Sequence, residues 1–114
     1  MTDIRHYATA SGEDVFQGWF DTLRDRQAQA RIQARIDRLE RGLFGDAEPC
    51  GESVWELRID WGPGYRVYYA RAGEQVILLL CGGDKRKQQA DIKRAKGYWH
   101  DYQQRTKTRG KGAG

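Results

Sequence analysis

A chain of 114 residues with 39% hydrophobic and 32% charged side chains suits one soluble domain that buries roughly two-thirds of its surface. Its formal charge of +4 says little about partners: Arg105, Lys107, Arg109 and Lys111 lie in the last ten residues without an acid, so the rest is neutral. The longest strongly apolar run, Val76 to Cys81, is six residues where a membrane-crossing helix needs about 20.

The amino terminus, Met-Thr-Asp-Ile-Arg-His, has no apolar signal core, and Cys50 and Cys81 suggest no disulfide framework. A cytoplasmic protein is expected. Ile4 to Thr9 alternates like a short strand. Ser11 to Asp14 reads as a helix start, and Val15, Phe16, Trp19, Phe20 and Leu23 recur at helical spacing over about three turns. A second helix is expected from Asp25 to Arg41, with Ala28, Ile32, Ile36 and Leu39 on one stripe and Gly42 as its stop. Glu48 to Gly51, with Pro49, reads as loop.

Strand alternation then takes over. Trp55, Leu57 and Ile59 form one ladder and Tyr65, Val67 and Tyr69 another, with Gly62-Pro63-Gly64 as the hairpin turn between them. Gln75 to Cys81 is apolar on both faces and therefore central. A last helix begins at Asp84 or Lys85 and runs to about Gln104, carrying Ile92, Ala95, Trp99 and Tyr102 on one face. Residues 1–104 thus form the domain, and 105–114 are a basic, glycine-rich tail expected to be disordered. The order β-α-α-β-β-β-α predicts an α+β fold: an antiparallel sheet against two N-terminal helices, with a C-terminal helix.

Facing residues of an antiparallel pair share a side of the sheet. Setting Trp55, Leu57 and Ile59 opposite Tyr69, Val67 and Tyr65 places Arg58 opposite Arg66, and Glu56 opposite Tyr68, on the other side. Two facing arginines repel unless an anion lies between them or nearby acids, Glu56, Asp60 or Asp84, pair with them. Gly82-Gly83-Asp84-Lys85-Arg86-Lys87 opens the last helix, where glycines let backbone approach a ligand and helix amino termini attract phosphate. Its cations oppose the helix dipole, so their placement asks for a reason other than helix stability. Arg31, Arg35 and Arg38 form a basic stripe on the second helix; interleaved with Asp37 and Glu40, they read as a solvated face that could add phosphate contacts to a large RNA. His6, His100, Cys50 and Cys81 are too scattered for zinc, and no other metal or cofactor motif is present.

The hairpin residues Glu56-Leu57-Arg58 and Gly62-Pro63-Gly64-Tyr65-Arg66-Val67-Tyr68-Tyr69 carry a resemblance, as do Gly82-Gly83-Asp84-Lys85, Asp91-Ile92 and Tyr98-Trp99. Over about residues 4–104 the sequence resembles the RelE/ParE superfamily of bacterial toxins, closest to its HigB-like branch of addiction-module killer proteins. Arg86 and Lys87 stand where small polar residues are usual. The resemblance implies a RelE-like fold and a ribosome-dependent mRNA endonuclease that works without metal, by attack of the RNA 2′-hydroxyl on the adjacent phosphate. It also implies neutralisation by a cognate helix-turn-helix antitoxin, with operator DNA met only through that complex. Arg58, Arg66 and Lys85 would stabilise the phosphate, Lys85 also serving as acid or base if buried beside cations. Asp84 would be base or orienter, and Tyr68 would stack on a base or donate a proton. Arg86 and Lys87, with Arg31, Arg35 and Arg38, would bind RNA. Tyr98 and His100 lie some 20 Å along the last helix and reach the site only if it folds back across the sheet. A ParE-like inhibitor of DNA gyrase, or a binding module without cleavage, would use the same arginine face as an interaction surface.

Overall fold

A strand apolar on both faces needs cover on both, and the run through Ile77, Leu78, Leu79, Leu80 and Cys81 receives it. The computed structural model describes residues 2–113, with side chains to residue 107. Its elements are β1 (Asp3–His6), α1 (Val15–Thr22), α2 (Arg26–Glu40), β2 (Ala47–Gly51), β3 (Val54–Ile59), β4 (Tyr65–Gly73), β5 (Val76–Asp84), a 3-10 turn (Lys85–Lys87) and α3 (Gln88–Ala113). The five strands lie in the order β1-β5-β4-β3-β2.

Helix starts follow from capping carboxylates. Asp14 accepts from the Gln17 amide at 3.0 Å, and Asp25 from those of Gln27 and Ala28 at 2.9 and 3.2 Å. Phe16 of α1 and Ala28, Ile32, Ile36 and Leu39 of α2 cover one face of the sheet, meeting Leu57, Ile59, Val67 and Leu79. Ala95 and Trp99 of α3 cover the other, over Val54, Tyr68, Ala70, Leu78 and Leu80. The α+β class, the two N-terminal helices on the sheet and the C-terminal helix are as expected, and the architecture is consistent with a RelE-like fold.

Three details differ from expectation. The sheet is mixed, because β1 joins β5 in parallel, from Asp3 opposite Val76 to His6 opposite Leu79. Alternation marks a strand but carries no direction. The Glu48–Gly51 segment belongs to an edge strand, β2, antiparallel to β3. Pro49 is tolerated there because one side of an edge strand needs no ladder donor, and a register shift between Pro49 and Gly51 irregularises the pairing. The β2–β3 turn places Glu52 and Ser53 at φ 53° and 67°, left-handed geometry usually signalled by Asn or Gly.

The third difference is the length of α3, which continues past Gln104 to Ala113. Its middle is fastened. Tyr7 donates to Asp101 Oδ2 at 2.6 Å, Arg105 donates to the same oxygen from Nε at 3.0 Å, and Arg105 Nη2 donates to the Ala8 carbonyl at 2.5 Å. Side chains from 108 onward, including most of the expected tail, lie outside the described residues.

Candidate functional site

The hairpin register is the expected one, with Arg58 opposite Arg66 and Glu56 opposite Tyr68. Both arginines line one polar cleft of about 360 Å³, joined by Lys85 from the 3-10 turn and by Asp46 and Asp60. The hairpin turn builds its wall. Gly64 lies at φ 85°, and a Cβ there would stand 3.6 Å from both Arg66 Nη1 and the Lys85 Cβ. The Lys85 amide donates to the Gly64 carbonyl at 2.8 Å, which pins the start of the 3-10 turn beside the hairpin. Lys85 is exposed and makes no ion pair among the described residues.

Carboxylates relieve the arginine repulsion. Arg58 Nη2 lies 3.1 Å from Asp46 and 2.6 Å from Glu48, and the Asp46 hydrogen bond leads the effects that raise its pKa. Arg66 Nε stands 3.6 Å from Glu56, and its Nη1 donates to the Tyr65 carbonyl at 3.3 Å. The Arg66 side chain is only 10% exposed, so its guanidinium is held with a small part at the cleft. Asp46 and Glu48 escape sequence reasoning because β2 reads as loop; a charged residue on each side of Ala47 is the one signal available.

Several candidates have other work. Tyr68 is fully buried beneath α3, and burial pushes its hydroxyl far above the usual range; it neither stacks on a base nor reaches the cleft. Asp84 caps the 3-10 turn, accepting from the Arg86 amide and Nη2, each at 2.9 Å. The Arg86 side-chain hydrogen bond, ahead of the backbone one, lowers its pKa, so Asp84 is an organiser of the turn rather than a free base. Lys85 lacks the burial that acid–base duty would draw on. The glycine pair is occupied by protein: a Cβ on Gly82 would fall 2.2 Å from the Trp19 ring, and one on Gly83 would fall 1.9 Å from Asp91 Oδ2. These glycines admit side chains of α1 and α3 instead of a ligand.

The α2 stripe divides in the same way. Arg35 donates to the carbonyls of Arg58 at 2.6 Å, Asp46 at 3.3 Å and Phe44 at 3.4 Å, a strut beneath the cleft wall. Arg31 sits 3.8 Å over the Trp61 ring, whose Nε1 donates to Asp25. Arg31, Arg35 and Arg38 line a groove that shares Asp60 with the cleft, so the stripe adjoins the site around the hairpin edge. Arg86 and Lys87 are exposed beside Lys85. α3 does fold back across the arginine face, but Tyr98 stacks on Tyr7 at 4.9 Å and His100 is exposed, so neither lines the cleft.

Three cations of fixed charge around a cleft with two lining carboxylates can hold an anionic centre and leave a proton acceptor beside it. Residues 18–97, which include Arg58, Asp60, Arg66 and Lys85, match the family described as phage derived protein Gp49-like (DUF891). The chain is also 48% identical over 82 residues to an uncharacterized protein of Haemophilus influenzae (strain ATCC 51907 / DSM 11121 / KW20 / Rd), covering 72% of this chain and 83% of that protein. The chain belongs to the Gp49-like family, a RelE/ParE-like family of toxins from toxin–antitoxin systems.

Proposed function

We propose that this Gp49-like chain is the toxin of a type II toxin–antitoxin module, of HigB-like type, and that it cuts mRNA on the translating ribosome. The observation that carries the reading is the convergence of Arg58, Arg66 and Lys85 on one polar cleft. In the reaction the RNA 2′-hydroxyl attacks the adjacent phosphorus, the bond to the 5′-oxygen breaks, and a 2′,3′-cyclic phosphate remains. Negative charge grows on the non-bridging oxygens, where the two guanidiniums meet it without reorganising. The ammonium of Lys85, exposed at the cleft, adds its charge against the same oxygens, and the departing 5′-oxygen takes up a proton from water. Asp60, exposed in the cleft and in no ion pair among the described residues, accepts the proton of the 2′-hydroxyl. Asp46 is less free, being engaged by Arg58. The cognate partner is a helix-turn-helix antitoxin, and operator DNA is met through that complex. The site of action is the cytoplasm.

Primer extension on translated mRNA after induction tests the reading. Cuts within codons are expected, and Arg66→Ala should lower cleavage by about 10²–10³-fold and abolish growth arrest while antitoxin binding persists. Intact mRNA accompanied by gyrase-linked DNA breaks would refute it, and full toxicity of Arg66→Ala would refute the site.

A further inference from the structure

Beneath the cleft lies a second polar cluster that the reaction does not touch. Glu56 is 2% exposed, Asp91 3% exposed, and Tyr68 is fully buried. Glu56 faces Tyr68 across the hairpin. Gln88, in the first turn of α3, donates to Glu56 Oε2 at 2.7 Å, and Arg66 Nε stands 3.6 Å from Glu56 Oε1. Arg66 Nε, Tyr68 OH and Asp91 Oδ2 have no hydrogen-bond partner among the described residues.

A carboxylate this deeply buried is unfavourable unless a cation answers it, and the cation within reach is Arg66. The two ends of that guanidinium face different surroundings. Nε looks inward to Glu56; Nη1 lies beside Gly64 and Lys85 at the cleft. Glu56 in turn is tied by Gln88 to the start of α3, whose middle is fastened to Tyr7 through Asp101. A charge is thus ion-paired from the interior side, at 3.6 Å and without a hydrogen bond, while its other end, donating to the Tyr65 carbonyl, lies at the cleft; such preorganisation separates an effective oxyanion contact from a swinging surface arginine.

We propose that Glu56 is a positioning residue, whose carboxylate holds the Arg66 guanidinium at the cleft and whose bond to Gln88 makes the seating of α3 set the aim of that guanidinium. The proposal rests on the phosphate-binding role given to Arg66 above. Glu56→Gln keeps the size and an oxygen for Gln88 but removes the charge, whereas Glu56→Asp keeps the charge on a shorter arm.

Two measurements test it. In the NMR spectrum of the full chain, the Arg66 Nε–H should exchange slowly in the wild type, much faster in Glu56→Gln, and at an intermediate rate in Glu56→Asp. On ribosome-bound mRNA, Glu56→Gln should lower kcat on the order of 10²-fold with KM changed less than about threefold, since misplacement of about 1 Å costs that much. Glu56→Asp should recover part of the rate, and Glu56→Gln should add nothing in an Arg66→Ala background. Unchanged Arg66 exchange in a folded Glu56→Gln, or a loss that multiplies with Arg66→Ala, overturns the proposal. Should Glu56→Gln fail to fold, Glu56→Asp decides: wild-type exchange and rate with its displaced carboxylate overturn the positioning role. If the wild type cuts no RNA, the proposed function fails, while the exchange comparison still decides whether Glu56 holds Arg66.

Discussion

Replacing Gly82 with alanine would put a methyl group inside the Trp19 indole. An ideal Cβ there lies 2.2 Å from Cε3 and 2.3 Å from Cζ3, whereas ordinary contact begins at 3.4 Å, so the ring must retreat by about 1.2 Å. It has little room, with Phe16 at 5.9 Å and Tyr65 at 6.2 Å between centroids. The obstacle is a ring rather than a flexible chain end, and overpacking of this kind costs about 1–3 kcal/mol. With a urea m-value of about 1.5 kcal/mol/M, the midpoint should fall by roughly 0.7–2 M, followed by circular dichroism at 222 nm. Trp19→Leu removes the obstruction, and in that background Gly82→Ala should cost less than about 0.5 kcal/mol. An unchanged midpoint for Gly82→Ala, or an equal loss in both backgrounds, would refute the packing argument and return the glycine to ligand binding.

Arg35→Ala should lose about 1.5–3 kcal/mol of stability, because the carbonyls of Arg58, Phe44 and Asp46 lose a charged donor; Arg35→Lys should recover less than half, measured by urea titration. Burial raises the Asp91 pKa above 3.8, more than Arg94 lowers it. With the folded value above the unfolded one, its contribution is full below about pH 3.8 and is lost as pH rises through the folded value. Asp91→Asn should therefore gain on the wild type in melting temperature from pH 4 upward; a constant difference across pH 4–8 would count against this. Burial pushes the Cys50 thiol up to about 11 and that of Cys81 up to about 12. Both should react slowly with a disulfide reagent at pH 8, Cys81 more slowly than half-exposed Cys50, and both rapidly in urea.

The hairpin was legible to the residue, because alternation and one glycine-proline turn leave a single register for Trp55 to Ile59 against Tyr65 to Tyr69. The two amphipathic helices were legible for the same local reason. What lay beyond reach was set by distant partners. Nothing near Asp3 says that its neighbour will be Val76, and nothing in Ala-Glu-Pro-Cys-Gly outweighs a proline until the edge position is known. The site shows the same divide. The grouping of Arg58, Arg66 and Lys85 follows from the register and the end of β5. Tyr68 was misread because α3 lies across its face, Asp84 because its acceptor was already engaged by the turn, and Gly82 because Trp19, from a distant helix, fills its place.

The placement of β5 has a consequence for how the chain emerges during synthesis. β1 is made before the other strands, but among the described residues its one sheet neighbour is β5, which β4 also takes as a neighbour. A nascent chain that ends before Val76 therefore has β1 with no strand to join and β4 open along one edge. α3, which covers the arginine face and carries Gln88, emerges later still. Domain and cleft are completed together once α3 has been made, so a product truncated before Val76 carries the hairpin arginines without the strand, turn and helix that aim them.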